Sequence, residues 1–275
     1  MGRRLVTVTK KEWLSIFLIA LSGTVFRLII QAFMPSIGNG DPSIIARAGL
    51  LPLAFTVFGI ITYGLLALVF VMIQEQIPGT KQTKGCLFGA LFAVMWALYL
   101  LEPLPGNSGL SLFEFLAYPL ADGVSLLFIG VLLGRFLASN TEKSNHTGIR
   151  SIIMALIVIV LTFLTARYLY YNVFHIYSFF AKKPLETMVW ATSTGIWIGI
   201  MYLSLNPGMP VRQPILRGSY FGIIIFGIDL TLFNLFLPMV FEASVIEFLV
   251  RSAMDIIPVT IGVYIVEKVR CTKKV

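Results

Sequence analysis

A chain of 275 residues that is 57% hydrophobic and only 12% charged, with a mean hydropathy of +0.89, lacks the polar surface of a soluble domain, which sits nearer half apolar and a quarter charged. The formal net charge of +8 does not point to nucleic acid, because the basic residues stand in short runs between long apolar stretches; that is the pattern of loops facing anionic lipid. Two cysteines (Cys86, Cys271) and two histidines (His146, His175), widely spaced, match neither a disulfide framework nor a metal site, so no metal and no cofactor is expected.

A bilayer crossing takes about 20 mostly apolar residues, and eight stretches qualify. The first, Trp13–Met34, follows Arg3, Arg4, Lys10 and Lys11. It is too long for a signal-peptide core and lacks a small-residue cleavage site, so it reads as a retained span. Leu50–Ile73 is the second. Cys86–Leu104 and Leu110–Leu137 are separated by a turn at Pro103–Gly109 and should form a helical hairpin. The fifth, Ile149–Phe174, ends in Tyr168, Tyr170 and Tyr171, which read as an interfacial aromatic belt. Thr187–Leu205 carries Gly195 and Gly199, a spacing that allows close helix approach and is assigned to packing inside the chain. Ser219–Val240 and Ala243–Val266, joined near Pro238, should form a second hairpin. Pro119 and Pro258 fall inside the fourth and eighth spans.

Charge sets the expected orientation. With the N-terminus inside, fifteen of the 21 Lys and Arg residues fall in cytoplasmic segments, three outside (Arg47, Lys182, Lys183) and three within spans (Arg27, Arg167, Arg251). So uneven a split places both termini in the cytoplasm of a cell (plasma or inner) membrane protein.

The sequence also repeats itself. At an offset of 133 residues, Lys84-Gly85 meets Arg217-Gly218, Phe88-Gly89 meets Phe221-Gly222, Leu104-Pro105 meets Leu237-Pro238, Glu114-Phe115-Leu116 meets Glu247-Phe248-Leu249, and Asp122 meets Asp255. At another offset Arg27 of the first span matches Arg167 of the fifth. Matches among the uncommon letters Gly, Pro, Glu and Asp are a fold-level signal. The expected architecture is therefore all-α, eight transmembrane helices as two tandem four-helix repeats, residues 1–140 and 141–275. An even number of spans per unit makes the repeats parallel, related by an axis along the membrane normal.

Ionisable groups inside a bilayer are costly and suggest function. The candidates are Arg27, Glu114 and Asp122 in the first repeat and Arg167, Glu247 and Asp255 in the second. Asp122 lies about 12 Å and about 80° along its helix from Glu114, so one face can hold both acids. Asp229 lies mid-span with no sequence-local partner, and its repeat-mate is Trp96. Arg251, whose mate is Tyr118, stands one turn after Glu247 and can pair with it. Glu102 and Glu242 are expected at the outer interface, solvated.

No nucleotide-binding, zinc-protease or nucleophile-elbow motif is present, and the loops leave no room for a soluble catalytic or nucleic-acid-binding domain. Three functions follow. One is a small-solute or ion transporter with a polar site between the repeats. The alternative is a non-catalytic scaffold, assembly factor or regulatory subunit with a protein partner or a second copy of itself. An intramembrane enzyme has only paired acids to rest on. The lipid bilayer is the partner common to all three.

Overall fold

The computed structural model describes residues 8–34, 41–103, 112–142, 148–174, 176 and 178–272, without the side chains of residues 112, 114 and 115. The described chain is helical, and eight helices are long and apolar enough to cross a membrane. They are α1 (Lys10–Gln31), α2 (Leu51–Ile73), α3 (Lys81–Leu100), α4 (Leu112–Phe136), α5 (Ile149–Asn172), α6 (Pro184–Leu205), α7 (Pro214–Val240) and α8 (Val245–Thr272). Their ends depart from the hydropathy boundaries where capping outweighs apolarity. α1 starts at Lys10 because Thr9 and Glu12 form a reciprocal capping box. α3 starts at Lys81 because the Thr80 side chain accepts from the Thr83 amide. α4, α7 and α8 run on through Pro119, Pro238 and Pro258.

Packing follows a simple scheme. α1 lies against α2 and α4, and α3 against α4. α5 lies against α6 and α8, and α7 against α8. The first four and last four helices meet where α2 packs on α7 and α3 on α6. Phe55 of α2 stacks on Phe236 of α7 with ring centroids 5.0 Å apart. The indoles of Trp190 and Trp197 in α6 donate to main-chain carbonyls of α3, at Leu98 (2.7 Å) and Leu91 (2.9 Å). Gly195 and Gly199 face Val160, Phe163 and Leu156 of α5.

The two hairpins are held by backbone-to-backbone approach. A β-carbon on Gly85 would sit 2.2 Å from the Gly130 carbonyl oxygen, and one on Gly89 would sit 2.7 Å from that of Leu126. In α7 a β-carbon on Gly218 would lie 2.8 Å from the Thr260 carbonyl oxygen of α8, with Gly222 equally close to Thr260. Gly85 and Gly218 each follow a basic residue that ties off a helix end. Lys84, fully buried, donates to the Gln74 carbonyl (2.6 Å) and the Thr141 hydroxyl (2.8 Å). Arg217 donates to the carbonyls of Asn206 (2.9 Å) and Val211 (2.8 Å) and pairs with Glu267. Helix C-termini leave carbonyls without intrahelical partners, and cations are favoured there. Between Arg217 and the middle of α7, residues Tyr220–Gly227 widen into a π-helical segment.

Replacing Gly85 by alanine forces α3 off α4, and overpacking of this kind costs about 1–3 kcal/mol. A lowered melting temperature in detergent is expected for Gly85→Ala; an unchanged one would contradict the close approach.

Candidate functional site

The intramembrane charges fall into two clusters near the end of the bundle that holds the α1–α2, α3–α4, α5–α6 and α7–α8 connections. In the first, Arg27 of α1 donates from Nε to Asp122 of α4 at 2.5 Å and from Nη1 to Gln31 at 2.8 Å. In the second, Arg167 of α5 donates from Nη2 to Asp255 of α8 at 2.5 Å. Each pair ties the first helix of its group of four to the last. An arginine in an apolar bundle requires an anion beside it, and helical geometry leaves these two aspartates at the matching depth.

The clusters differ in what surrounds them. Arg167 is closed in: 3% of its surface is exposed, and Asp255 is 4% exposed. Besides Asp255 it reaches Glu102 (3.2 Å) and the Tyr171 hydroxyl (3.3 Å), and its guanidinium lies 4.8 Å from the Trp190 ring. Glu102 is in turn held by Arg251 of α8. Two cations thus meet two carboxylates in a sealed cluster.

Arg27 and Asp122 keep 14% and 13% of their side chains exposed. They line a cavity of about 110 Å³ between α1, α2, α3, α4 and α7. Its polar edge is Arg27, Gln31, Tyr118 and Asp122, and its walls include Phe55, Phe58, Trp96, Phe233, Phe236 and Leu237. Thr62, also in the wall and 2% exposed, has a hydroxyl without a hydrogen-bond partner among the described residues. A cavity of this size accepts a few waters or a body approaching benzene, which an apolar cavity of about 150 Å³ accommodates.

Behind the cavity wall sits Asp229 of α7, with no exposed surface. It accepts from the Trp96 indole (2.6 Å) and the Tyr99 hydroxyl (3.3 Å) of α3. No cation pairs with it among the described residues.

Several sequence expectations are corrected. Glu102 is not a solvated interfacial acid: it is buried between Arg167 and Arg251, because α3 ends at Leu100 and the following turn folds inward. Glu242 is exposed and pairs with Arg47 at 3.0 Å. Arg251 reaches Glu102, while Glu247 is exposed at the start of α8. The side chain of Glu114 lies outside the described residues. Tyr170 and Tyr171 are not belt residues; they bond Met254 and Arg167. Sequence reasoning missed Glu102, which sits at a span end where acids are unremarkable. It also missed the cluster of Glu267 with Arg217, Arg270 and Tyr202 near the termini of the chain. Asp229, expected in a wet cavity or beside an arginine of another span, is instead buried and accepts from Trp96, the residue it aligns with, and from Tyr99.

No known protein family matches the chain, and no curated protein or solved structure matches it.

Arg167→Leu strands Asp255 in the sealed cluster and leaves Glu102 to Arg251 alone, and a buried carboxylate left alone costs about 3–5 kcal/mol. Arg27→Leu, beside a cavity that water can enter, is expected to cost less. Melting curves of the two variants in detergent check the order; Arg27→Leu melting below Arg167→Leu would reverse the assignment of open and closed clusters. Asp229→Asn keeps an acceptor for Trp96 and is expected to melt close to the wild type, whereas Asp229→Leu strands the indole and melts lower.

Proposed function

We propose that this protein is a small-solute transporter of the cell membrane, built from two tandem parallel four-helix repeats, with its solute site in the cavity bordered by Arg27 and Asp122. The observation that carries the reading is the difference between the two clusters. Arg167 and Asp255 are closed off by protein groups, whereas Arg27 and Asp122 open onto a cavity with a buried, unpartnered hydroxyl. Glue has no need of a cavity, and a cavity with convergent polar groups is the default mark of a binding site.

The repeat is supported by matching parts. Arg27–Asp122 joins α1 to α4 as Arg167–Asp255 joins α5 to α8. Lys84 and Arg217 tie off α2 and α6, and Gly85 and Gly218 set the two hairpins. Trp96 bonds its own repeat-mate Asp229, as expected where a two-fold axis passes between α3 and α7, because only residues at such an axis meet their counterparts. Cytoplasmic termini follow from the distribution of Lys and Arg.

The alternative, a scaffold or regulatory subunit, draws on the sealed cluster of Arg167, Asp255, Glu102 and Arg251, which has the form of structural glue.

Two measurements test the reading. A solute found by thermal-shift screening raises the melting point of the wild type by mass action, and Leu28→Trp, which fills the cavity, is expected to abolish that shift. A solute that still stabilises Leu28→Trp to the same extent binds elsewhere. Orientation is checked on Cys271, free and exposed at the end of α8: a membrane-impermeant maleimide is expected to label it only after the cells are permeabilised, and labelling of intact cells would invert the topology.

A further inference from the structure

The ligand class of the cavity can be read by setting the two clusters side by side; the inference rests on the cavity being the solute site. Over Arg167 stands a second carboxylate, Glu102, delivered by the turn after α3. The counterpart of that segment in the other half is the end of α7, which stays helical to Val240. It presents Phe233, Phe236, Leu237 and Val240 to the cavity and no acid. Arg27 spends Nε on Asp122 and Nη1 on Gln31, and among the described residues Nη2 has no partner. Tyr118 and Thr62 line the same space. Among the described residues, Arg27 therefore has an apolar chamber beside it and no second carboxylate such as the one Glu102 brings to Arg167, whose own Nε is also without a partner.

We propose that the cavity binds a small apolar monocarboxylate, its carboxylate on Arg27 and its body against Trp96, Phe55, Phe58 and Phe236, and that the acid enters together with one proton.

The proton follows from a charge count. In the sealed cluster Arg167 and Arg251 balance Asp255 and Glu102. The position in α4 that aligns with Arg251 is Tyr118, which carries no charge. Among the described residues Arg27 is already balanced by Asp122, so a bound carboxylate leaves one negative charge in excess among apolar walls, a state that costs several kcal/mol unless neutralised. Asp122 or the ligand takes up the proton. Among the described residues, the polar groups that line the cavity with Asp122 include Arg27 and Gln31 of α1, Tyr63 and Thr62 of α2, and Tyr118 of α4 itself; the side chain of Glu114 lies outside them. From α3 and α7 come Trp96, Phe233 and Phe236, uncharged, with Asp229 behind Trp96.

The test titrates the purified full-length protein with benzoate, benzyl alcohol and benzylamine at pH 6 and pH 8, following tryptophan fluorescence. Benzoate is expected to bind, about tenfold or more tighter at pH 6 because a proton is taken up with it. Benzyl alcohol should bind more weakly with no pH dependence, and benzylamine least. Arg27→Gln should weaken benzoate about tenfold or more, the range for loss of a charged hydrogen bond, and leave benzyl alcohol unchanged. Benzoate no tighter than benzyl alcohol at either pH overturns the carboxylate assignment while leaving the cavity a solute site. Binding of none of the three probes overturns the solute-site reading itself. If Arg27→Gln does not fold, the head-group and pH comparisons on the wild type decide alone.

Discussion

A charged side chain inside an apolar bundle is tolerated only beside its opposite, and that constraint organises this protein. Arg27 and Arg167 are held largely out of bulk water, so each dictates where an aspartate must come, 95 and 88 residues further on. The pairs therefore fix which helices are neighbours and at what height. α4 must return past Arg27 with Asp122 level with it, and α8 must return past Arg167 with Asp255 level. Apolar packing alone would not choose a register, because one leucine-rich face slides over another with little change in buried area, while a buried ion pair displaced by a turn loses its partner.

The other end of the bundle is set by different means. There the backbones of α3 and α4 touch through Gly85, Gly89 and Gly130, and the hairpin of α7 and α8 closes on Gly218 and Gly222. Lys84 and Arg217 lie inside this contact and use their charge on main-chain carbonyls at the ends of α2 and α6. Such donors suit a place where the last carbonyls of a helix would otherwise be buried without partners. Glycine contact brings the helices close, the cation satisfies what that closeness buries, and the two occur together as a Lys/Arg-Gly pair in both halves.

This division explains what could be read from the sequence. The eight spans were legible because hydropathy over about 20 residues is decisive in a membrane, and their inaccurate ends were those where Thr9 and Thr80 cap polar first turns. The arginine–aspartate pairs were legible because intramembrane charges are few and must meet. Glu102 was not, since its partners depend on α3 stopping at Leu100 and the chain turning inward, a local event with no hydropathy signature. Asp229 had no visible partner until its mate Trp96 was considered as its contact, and that step needs a symmetry axis between α3 and α7. The tyrosines of α5 were misread because an aromatic at a span end looks the same whether its hydroxyl meets headgroups or Arg167.

If the proposed repeat arose by duplication, it would copy packing and function alike, so agreement between the two groups of four helices says little about which charges act. Departures from symmetry say more. The Arg167–Asp255 pair is joined by Glu102, from the turn after α3, and by Arg251, and is covered by Trp190; the Arg27–Asp122 pair has aromatic walls and open volume at the corresponding place. Asp229 departs in the same sense, as a lone carboxylate where its counterpart is an indole that lines the cavity. A duplicated bundle that kept both pairs only for strength would gain by filling both chambers, since an empty chamber forfeits contacts with no return in packing. That the Arg167 pair is closed in while the Arg27 pair borders open volume favours the proposed division of labour, in which one pair secures the fold and the other faces a ligand.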